Sequence, residues 1–179
     1  MAGIRYIDYS ENFLFTTDFD DTIFDGDATE ASYAVNLDND LIGFQIGSAI
    51  NYCVTQRFST YAIGRVGVYN NHIRQFQQIY GSAGPVTVNS GPNTGSIYSV
   101  SSQSDELAVV GQLDFGVRWN INRSWSLDAG YRIVGLSGVA IAEDNVQQAN
   151  FQDLQGIADI QSQGAVVLHG GYAGVTYGW

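Results

Sequence analysis

The sequence lacks lysine and contains only one cysteine and two prolines, and these scarcities exclude several classes of protein. Its 7 basic residues are all arginine, and 18 acidic residues bring the net charge to −11. This balance argues against nucleic-acid binding, because contacts to phosphate need clusters of basic side chains. The single Cys53 excludes an internal disulfide and a multi-cysteine zinc site.

Long apolar runs are also missing from the sequence. Since no stretch of about 18 apolar residues occurs, no membrane helix is predicted. The first residues, MAGIRYIDYS, have no apolar region of the kind that a signal peptide needs. A length of 179 residues fits one domain. We expect residues 1–179 to form a single domain, either mature or the later part of a longer protein that continues N-terminally.

Alternation is the clearest pattern that the sequence does contain. Mostly apolar residues occupy every second position from Val109 to Ile121 and again from Trp125 to Ile133. Successive side chains of a β-strand point to opposite faces, so each stretch predicts a two-faced strand. The polar face carries glycine, amides and both charges, which suits a confined wet interior. The apolar face has tryptophan and tyrosine towards its ends, as at a lipid interface.

Opposite-charge pairs support one register for the hairpin between these strands. If Ile121 pairs with Trp125 across the three-residue loop 122–124, several complementary residues fall opposite each other. They are Arg118 with Asp128, Asp114 with Arg132, and Phe115 with Tyr131. Directly opposite pairs of these kinds stabilise a sheet, and a shift by one residue would mix the two faces.

The rest of the chain repeats the alternation and predicts six strands. The other four are 3–17, 31–53, 57–80 and about 165–179. Short turns at 54–56 and 122–124 alternate with long loops at 18–30, 81–103 and 143–163, the last with a helical turn around 151–157. In the second strand the apolar parity changes at Asp38–Asp40, which predicts a β-bulge or bend. In the next hairpin, pairing of Cys53 with Arg57 would place Gln45 opposite Arg65.

The predicted fold class is all-β: an antiparallel up-and-down transmembrane β-barrel, or the C-terminal half of one, with about six strands. Short turns lie on one side and long loops on the other. Known barrels of this class begin at about eight strands, whose interior is only just wide enough for side chains. Since Tyr61, Arg65, Arg118 and Arg132 point inward, six strands alone should form an open, curved sheet.

The inward polar residues form the candidate site, a charge ladder that faces the lumen. Its members are Gln45, Arg65, Asp114, Arg118, Asp128 and Arg132. As a structural ladder, the charges neutralise one another and brace the wall. As a pore lining, they set a field that selects solutes. The two interpretations are compatible.

An acidic loop is a candidate for weak Ca²⁺ binding through Asp18, Asp20, Asp25 and Asp27, because carboxylates are the hard oxygen ligands that this ion prefers. The loop misses the EF-hand pattern, and a solvated acidic loop explains it as well. No other cofactor is expected.

The C-terminus ends in alternating apolar residues, Val175, Tyr177 and Trp179. This ending resembles the signal that the outer-membrane assembly machinery recognises; an ordinary strand that ends in tryptophan is the alternative. No catalytic constellation accompanies it, since His72 and His169 have no serine or carboxylate beside them in the sequence. We therefore expect that the protein is not an enzyme.

Four segments resemble the β-barrel porins of planctomycetes. They read GIRYIDYSENF, DNDLIGFQIGSAINYC, RFSTYAIGRVGVYNN and GQLDFGVRWNINRSWSLDAGYRIVGLSGVA. The resemblance covers most of the strands and little of the loops. It implies an outer-membrane barrel of which this chain is the C-terminal part.

The leading interpretation is a porin-like wall for passive diffusion of small hydrophilic solutes. The alternatives are a structural or adhesive outer-membrane barrel that acts through its loops, and a soluble secreted β-barrel that binds a ligand. The expected partners are the lipid bilayer, the outer-membrane assembly machinery, small hydrophilic solutes, and further strands of the same protein or other copies of the chain. The expected location is the cell outer membrane, with long loops extracellular and short turns periplasmic.

Overall fold

A computed structural model describes residues 1–18, 29–146 and 153–178 of the chain. One antiparallel sheet accounts for most of these residues. Its strands are β1 (Ala2–Thr17), β2 (Ala31–Cys53), β3 (Phe58–Gly81), β4 (Gly84–Pro85), β5 (Ser99–Asn120), β6 (Trp125–Val139) and β7 (Gly164–Tyr177). Two short helices, α1 (Ala142–Asn145) and α2 (Leu154–Ala158), lie between β6 and β7. Among the described residues, no helix has the length and apolar character needed to cross a membrane.

The six long strands follow one another in the sheet as β1-β2-β3-β5-β6-β7, and the two-residue β4 pairs with the end of β3. The sheet curls into a half-barrel with a concave and a convex face. The hydroxyls of Tyr61 on β3 and Tyr172 on β7 meet across the concave face at 2.7 Å, although two strands separate them in the sheet. No ladder joins β1 to β7 in the described part of the chain, so the predicted open, curved sheet is confirmed.

The β5–β6 hairpin has the register that the sequence predicts. Its pairs include Arg118 with Asp128, Asp114 with Arg132, and Phe115 with Tyr131. The side-chain oxygen of Asn122 accepts hydrogen bonds from the backbone N–H groups of Ser124 and Trp125, both at 2.9 Å. An asparagine that folds back on its own turn defines the loop length, so turn chemistry and cross-strand pairs specify the same register.

The predicted register of the β2–β3 hairpin is wrong by two residues. Cys53 pairs with Ser59 rather than with Arg57. The turn spans residues 54–57 because the hydroxyl of Thr55 accepts a hydrogen bond from the backbone N–H of Phe58 at 3.1 Å. This local bond holds a longer turn than the alternation alone suggested.

The predicted bulge at Asp38–Asp40 is also wrong. Pairing of β2 with both neighbours runs through this point without a register shift. What changes is the polarity of the two faces. Towards the short turn, the convex residues are Ile42, Phe44 and Ile46, whereas towards the long loops they are Asn36, Asp38 and Asp40. On the concave face, buried apolar residues lie on both sides of this point, with Leu41 towards the short turn and Leu37 and Val35 towards the long loops.

The same inversion occurs at the same level in neighbouring strands. Four polar convex residues are successive cross-strand partners just beyond the border, namely Asp8, Asp40, His72 and Asp105. We call the part of the sheet from this row towards the long loops the loop-end half, and the part towards the short turns the turn-end half. The parity change in β2 is therefore one point on a border that crosses several strands. This border separates the apolar part of the convex face from its polar part.

The convex face of the turn-end half forms an apolar belt. On β5, its exposed apolar residues extend from Leu107 to Trp119. Twelve residue steps at about 3.3 Å, tilted by about 45°, give a height of roughly 28 Å. This height is close to the band of about 25 Å that is typical of barrels in a bilayer.

The loop-end half contains a hydrophobic core on its concave face, where a polar interior was expected throughout. The core joins side chains of β2, β3 and β5 to α1 and α2, and its most buried members include Val35, Leu37, Ile73, Val100, Ala142 and Ile157. The expectation of a polar concave face is therefore wrong for this half. Helix α2 overlaps the predicted helical turn at 151–157, of which residues 151 and 152 lie outside the described residues.

The chain enters this core through a bulge at the end of β6. Gly138 has a φ of 81°, and the β6–β7 register shifts beside it. The buried side chain of Asn39 then pairs with the backbone of Ala140, donating to its oxygen at 2.9 Å and accepting from its nitrogen at 2.8 Å. Asn71 donates to the oxygen of Gly138 at 3.1 Å. These bonds satisfy backbone groups that leave the sheet, so the segment stays on the concave face.

Candidate functional site

The concave face of the turn-end half carries a cluster of charged and amide side chains. Alternation along β1 and β5 places Arg5 and Gln112 on this face, where the Arg5 guanidinium donates to the Gln112 oxygen at 2.6 Å. The amide nitrogen of Gln112 in turn donates to Asp114 at 2.6 Å. The glutamine thus links an arginine on the edge strand to a carboxylate three strands away in the sheet.

Asp114 is the centre of this cluster. Its side chain is buried, and it accepts hydrogen bonds from Arg65 at 2.7 Å and from Arg132. A buried carboxylate needs such partners, because removing it from water is costly unless it is paired and hydrogen-bonded. We call Arg5, Arg65 and Arg132 around Asp114 the arginine cluster.

Glycines opposite the large side chains make room for them. Arg65 pairs with Gly47, where an added Cβ would lie 2.9 Å from the Arg65 Cγ. Tyr61 pairs with Gly116, where an added Cβ would lie 2.6 Å from the tyrosine hydroxyl. Glycine is therefore required at these positions by close approach of a neighbouring side chain.

The arginine cluster has an excess of positive charge. Three guanidinium groups and one carboxylate give a formal charge of 3 − 1 = +2. Next to it, Arg118 and Asp128 form a neutral pair at 2.6 Å. The Arg132 guanidinium also lies 5.6 Å from the centre of the Tyr172 ring, within the range of a cation–π interaction.

A cavity of about 400 Å³ lies beside this cluster, between the two edges of the half-barrel. Arg5 of β1 and Arg132 of β6 line it together with Tyr172, Gly170 and Gly171 of β7. Among the described residues, none that lines the cavity carries a carboxylate. Val134 and Leu168 also line the cavity, so it combines an apolar wall with the positive charge of the two arginines.

The predicted charge ladder is divided by the structure. Arg65, Asp114 and Arg132 contact one another, whereas Arg118 and Asp128 form the separate pair. Gln45 lies on the concave face, but its predicted partner Arg65 is wrong, since it pairs with Gly67 and accepts a hydrogen bond from Tyr69 at 3.4 Å. The two-residue error in the hairpin register is the reason.

The sequence reasoning missed Arg5 and Gln112. Arg5 has the same parity as Ile7 and Tyr9, which lie on the concave face, so alternation alone could have placed it there. Its partner is 107 residues away. That contact depends on how tightly the sheet curls, and no local pattern reports it.

The remaining sequence candidates are only partly described. Asp18 accepts a hydrogen bond from Thr29 at 3.1 Å, while Asp20, Asp25 and Asp27 lie outside the described residues. Within 1–18, 29–146 and 153–178, no group of His, Cys, Asp and Glu has the arrangement of a metal site. Calcium binding by this loop stays a prediction.

At the C-terminus, Val175 and Tyr177 are exposed on the convex face, and the Tyr177 ring packs 4.9 Å from that of Trp125. Trp179 lies outside the described residues. An exposed aromatic pair at the turn end fits the aromatic girdle of a membrane barrel.

The two histidines lie on the convex face, apart from the arginine cluster. His72 contacts the Asp105 carboxylate at 3.0 Å, and His169 contacts the hydroxyl of Tyr131. The first pair joins residues that are far apart in the sequence and face each other between β3 and β5.

A family model described as putative beta barrel porin-7 (BBP7) matches residues 1–164. The match covers all strands before β7 and ends at the first residue of β7. Comparison with curated proteins and comparison with solved structures gave no match.

Proposed function

Since the chain belongs to the putative beta barrel porin-7 family, we propose that it forms part of the wall of an outer-membrane pore. The pore admits small hydrophilic solutes by passive diffusion. The observation that carries this proposal is the two-faced turn-end half, with apolar side chains on the convex face and a hydrogen-bonded charge cluster on the concave face. Apolar outside and polar inside is the pattern of an outer-membrane barrel.

Exposure on the convex face supports contact with lipid. Ile50, Val66 and Val175 are 71%, 51% and 61% exposed, and none is covered by another part of the described chain. Contiguous apolar surface of this extent is rare on soluble monomers, where it leads to association. A bilayer would cover it at no cost, which favours a membrane barrel over a soluble ligand-binding barrel.

The same proposal assigns an orientation. In outer-membrane barrels the long loops face the outside and the short turns face the periplasm. The turns at 54–57 and 121–124 are then periplasmic, and the loop-end half with its core stands outside the membrane.

The barrel must be completed by strands beyond these six. In lipid, each unsatisfied backbone group at the edges β1 and β7 would cost several kcal/mol. Further strands of the same protein, or other copies of this chain, would pair with these edges. Val175, Tyr177 and Trp179 would serve as the signal for the assembly machinery that inserts the barrel.

A second candidate function is a structural or adhesive barrel without an open channel. The observation that favours it is the hydrophobic core of the loop-end half, which fills part of the concave face with α1, α2 and the strand side chains. A completed barrel must leave an aqueous path beside this core if it is to conduct.

Conductance of the purified full-length protein in planar lipid bilayers tests the proposal. We expect stepwise current increases on insertion, and swelling of proteoliposomes in sugars below a size limit. Protein that inserts, resists protease and carries no current would contradict the pore and favour the structural barrel. Protein that stays folded and monomeric without detergent or lipid would contradict both membrane functions.

A further inference from the structure

We propose that the arginine cluster is an anion-binding site that makes the pore favour small anionic solutes, such as carboxylates and phosphates. The inference rests on the proposed pore and adds the charge class of its solutes. Three observations support the inference: the local excess of positive charge, the hydrogen bonds that Asp114 already accepts, and the cavity beside the cluster.

Both oxygens of the Asp114 carboxylate already accept hydrogen bonds from its own partners. One of its oxygens accepts from Arg65 and Gln112, and the other accepts from Arg132. It therefore neutralises one of two arginines that contact it. Arg5 contacts the neutral amide of Gln112 and no carboxylate in the described part of the chain.

The guanidinium groups keep donors for a ligand. Each guanidinium carries five N–H donors in a planar fork that matches carboxylate and phosphate oxygens. The hydrogen bonds described above use one donor each from Arg5, Arg65 and Arg132. The Arg132 side chain is 52% exposed, so an incoming anion can reach it.

The cavity presents these donors to solutes. Arg5 on the edge strand β1 and Arg132 on β6 line it from opposite sides, and Gly170 and Gly171, which have no side chains, leave its wall open. A positive pair on facing walls of a confined space attracts anions more strongly than an exposed pair, because the walls exclude water and salt.

The contrast with the rest of the chain makes this charge distribution informative. The sequence has 18 acidic residues and a net charge of −11. Yet around the arginine cluster the concave face carries the carboxylates Asp114 and Asp128 against Arg5, Arg65, Arg118 and Arg132, while Glu106 lies next to the border with the loop-end half. An overall acidic protein that gathers four of its seven arginines on one wall is arranged for a local function of positive charge.

Ion selectivity of the full-length protein tests the inference. With a tenfold KCl gradient across a planar bilayer, we expect a zero-current potential of the sign that shows preference for chloride. Arg5→Gln should lower the chloride-to-potassium permeability ratio by about twofold or more, while Arg5→Lys, which keeps the charge, should retain most of it. Inorganic phosphate should reduce the chloride current of the parent protein and have less effect on Arg5→Gln.

We chose Arg5 because it contacts Gln112, so its substitution leaves every buried carboxylate paired. Substitution of Arg65 or Arg132 would remove a partner of the buried Asp114. Arg74→Gln is the matched control, since Arg74 lies on the convex face and pairs with Asp40 at 2.7 Å. Its permeability ratio should equal that of the parent.

The outcomes separate the two proposals. Folded protein without channels would overturn the pore, and the inference with it. Channels that prefer potassium, or whose selectivity is the same in the parent and in Arg5→Gln, would overturn the anion site and leave the pore intact. If Arg5→Gln does not insert, the sign of the potential and the phosphate effect in the parent protein decide.

Discussion

The two halves of this sheet are built from the same strands, and their convex faces have opposite polarity. In the turn-end half, the convex face is apolar, and the concave face carries the arginine cluster together with a smaller apolar cluster next to the border that includes Leu41, Tyr69 and Val110. In the loop-end half, the convex face is polar and the concave face packs into a core. The pairing of β2 with β1 and β3 continues across the border without a shift. The difference therefore lies in the side chains that each half presents on its two faces, and not in its secondary structure.

Side chains at the border confirm that the loop-end convex face suits water. The carboxylate of Asp40 accepts from Arg74 at 2.7 Å and from the hydroxyl of Tyr6, the last convex aromatic of β1 before the border. Such exposed ion pairs stabilise little in water. They place charged, partly exposed side chains directly beside the apolar belt.

The largest expected effect concerns the loop-end core. Leu37→Ala should lower the free energy of unfolding by about 2–5 kcal/mol, because Leu37 is 1% exposed within that core. Leu14→Ala is the matched control, since Leu14 is 60% exposed on the convex face, and its change should be within about 0.5 kcal/mol. Urea titration of the protein in lipid vesicles measures both. Equal losses would mean that the loop-end half has no core of its own.

The next expectation locates the membrane. Leu113→Arg, on the apolar belt of β5, should cost about 2–4 kcal/mol at mid-depth of the bilayer. Ser101→Arg changes the same convex face of the same strand in the loop-end half and should cost less than about 0.5 kcal/mol. The same folding titration compares the two variants. If arginine is tolerated equally well at both positions, the belt does not contact lipid.

A third expectation concerns the bulge that separates the sheet from the core. Gly138→Ala should destabilise by about 1–3 kcal/mol, because φ is 81° and the new Cβ would lie 2.5 Å from the oxygen of Leu107. Gly135→Ala, three residues earlier, has no heavy atom within 4 Å of its Cβ and serves as the control. Thermal unfolding of both variants in detergent gives the comparison. A Gly138→Ala protein as stable as its control would show that the bulge is not strained.

The smallest expected effect is a pH dependence on the loop-end convex face. The hydrogen bond from His72 holds the pKa of the Asp105 carboxyl below its usual value of 3.8. A carboxyl whose pKa is lower in the folded than in the unfolded state stabilises the protein at pH values above its unfolded-state pKa. This contribution is lost as the pH falls through the folded-state pKa. His72→Ala should therefore raise the Asp105 pKa, as followed by carbon NMR of the carboxyl, whereas Gln103→Ala should leave it unchanged. If the Asp105 pKa is unchanged in His72→Ala, the hydrogen bond from His72 does not stabilise the Asp105 carboxylate.

Short-range signals explain which registers the sequence could predict. In the β5–β6 hairpin, the Asn122 turn and two charge pairs agree, so the prediction was correct. In the β2–β3 hairpin, no charge pair was available to decide, and the hydrogen bond of the Thr55 hydroxyl lengthened the turn. The candidate site shows the same contrast between predictable and unpredictable contacts. The sequence predicted the pair of Asp114 with Arg132, but not the link from Arg5 through Gln112.

By itself, the sequence determined the six long strands, their alternating short and long connections, and the two faces of each strand, because a period of two is a local property of the chain. The tertiary structure decided the polarity inversion at the border, since the same alternation leaves apolar side chains exposed on the convex face of one half and buries them in a core on the concave face of the other. It also decided that Arg5 joins the arginine cluster through Gln112, because only the curl of the sheet brings residues 107 positions apart within hydrogen-bonding distance.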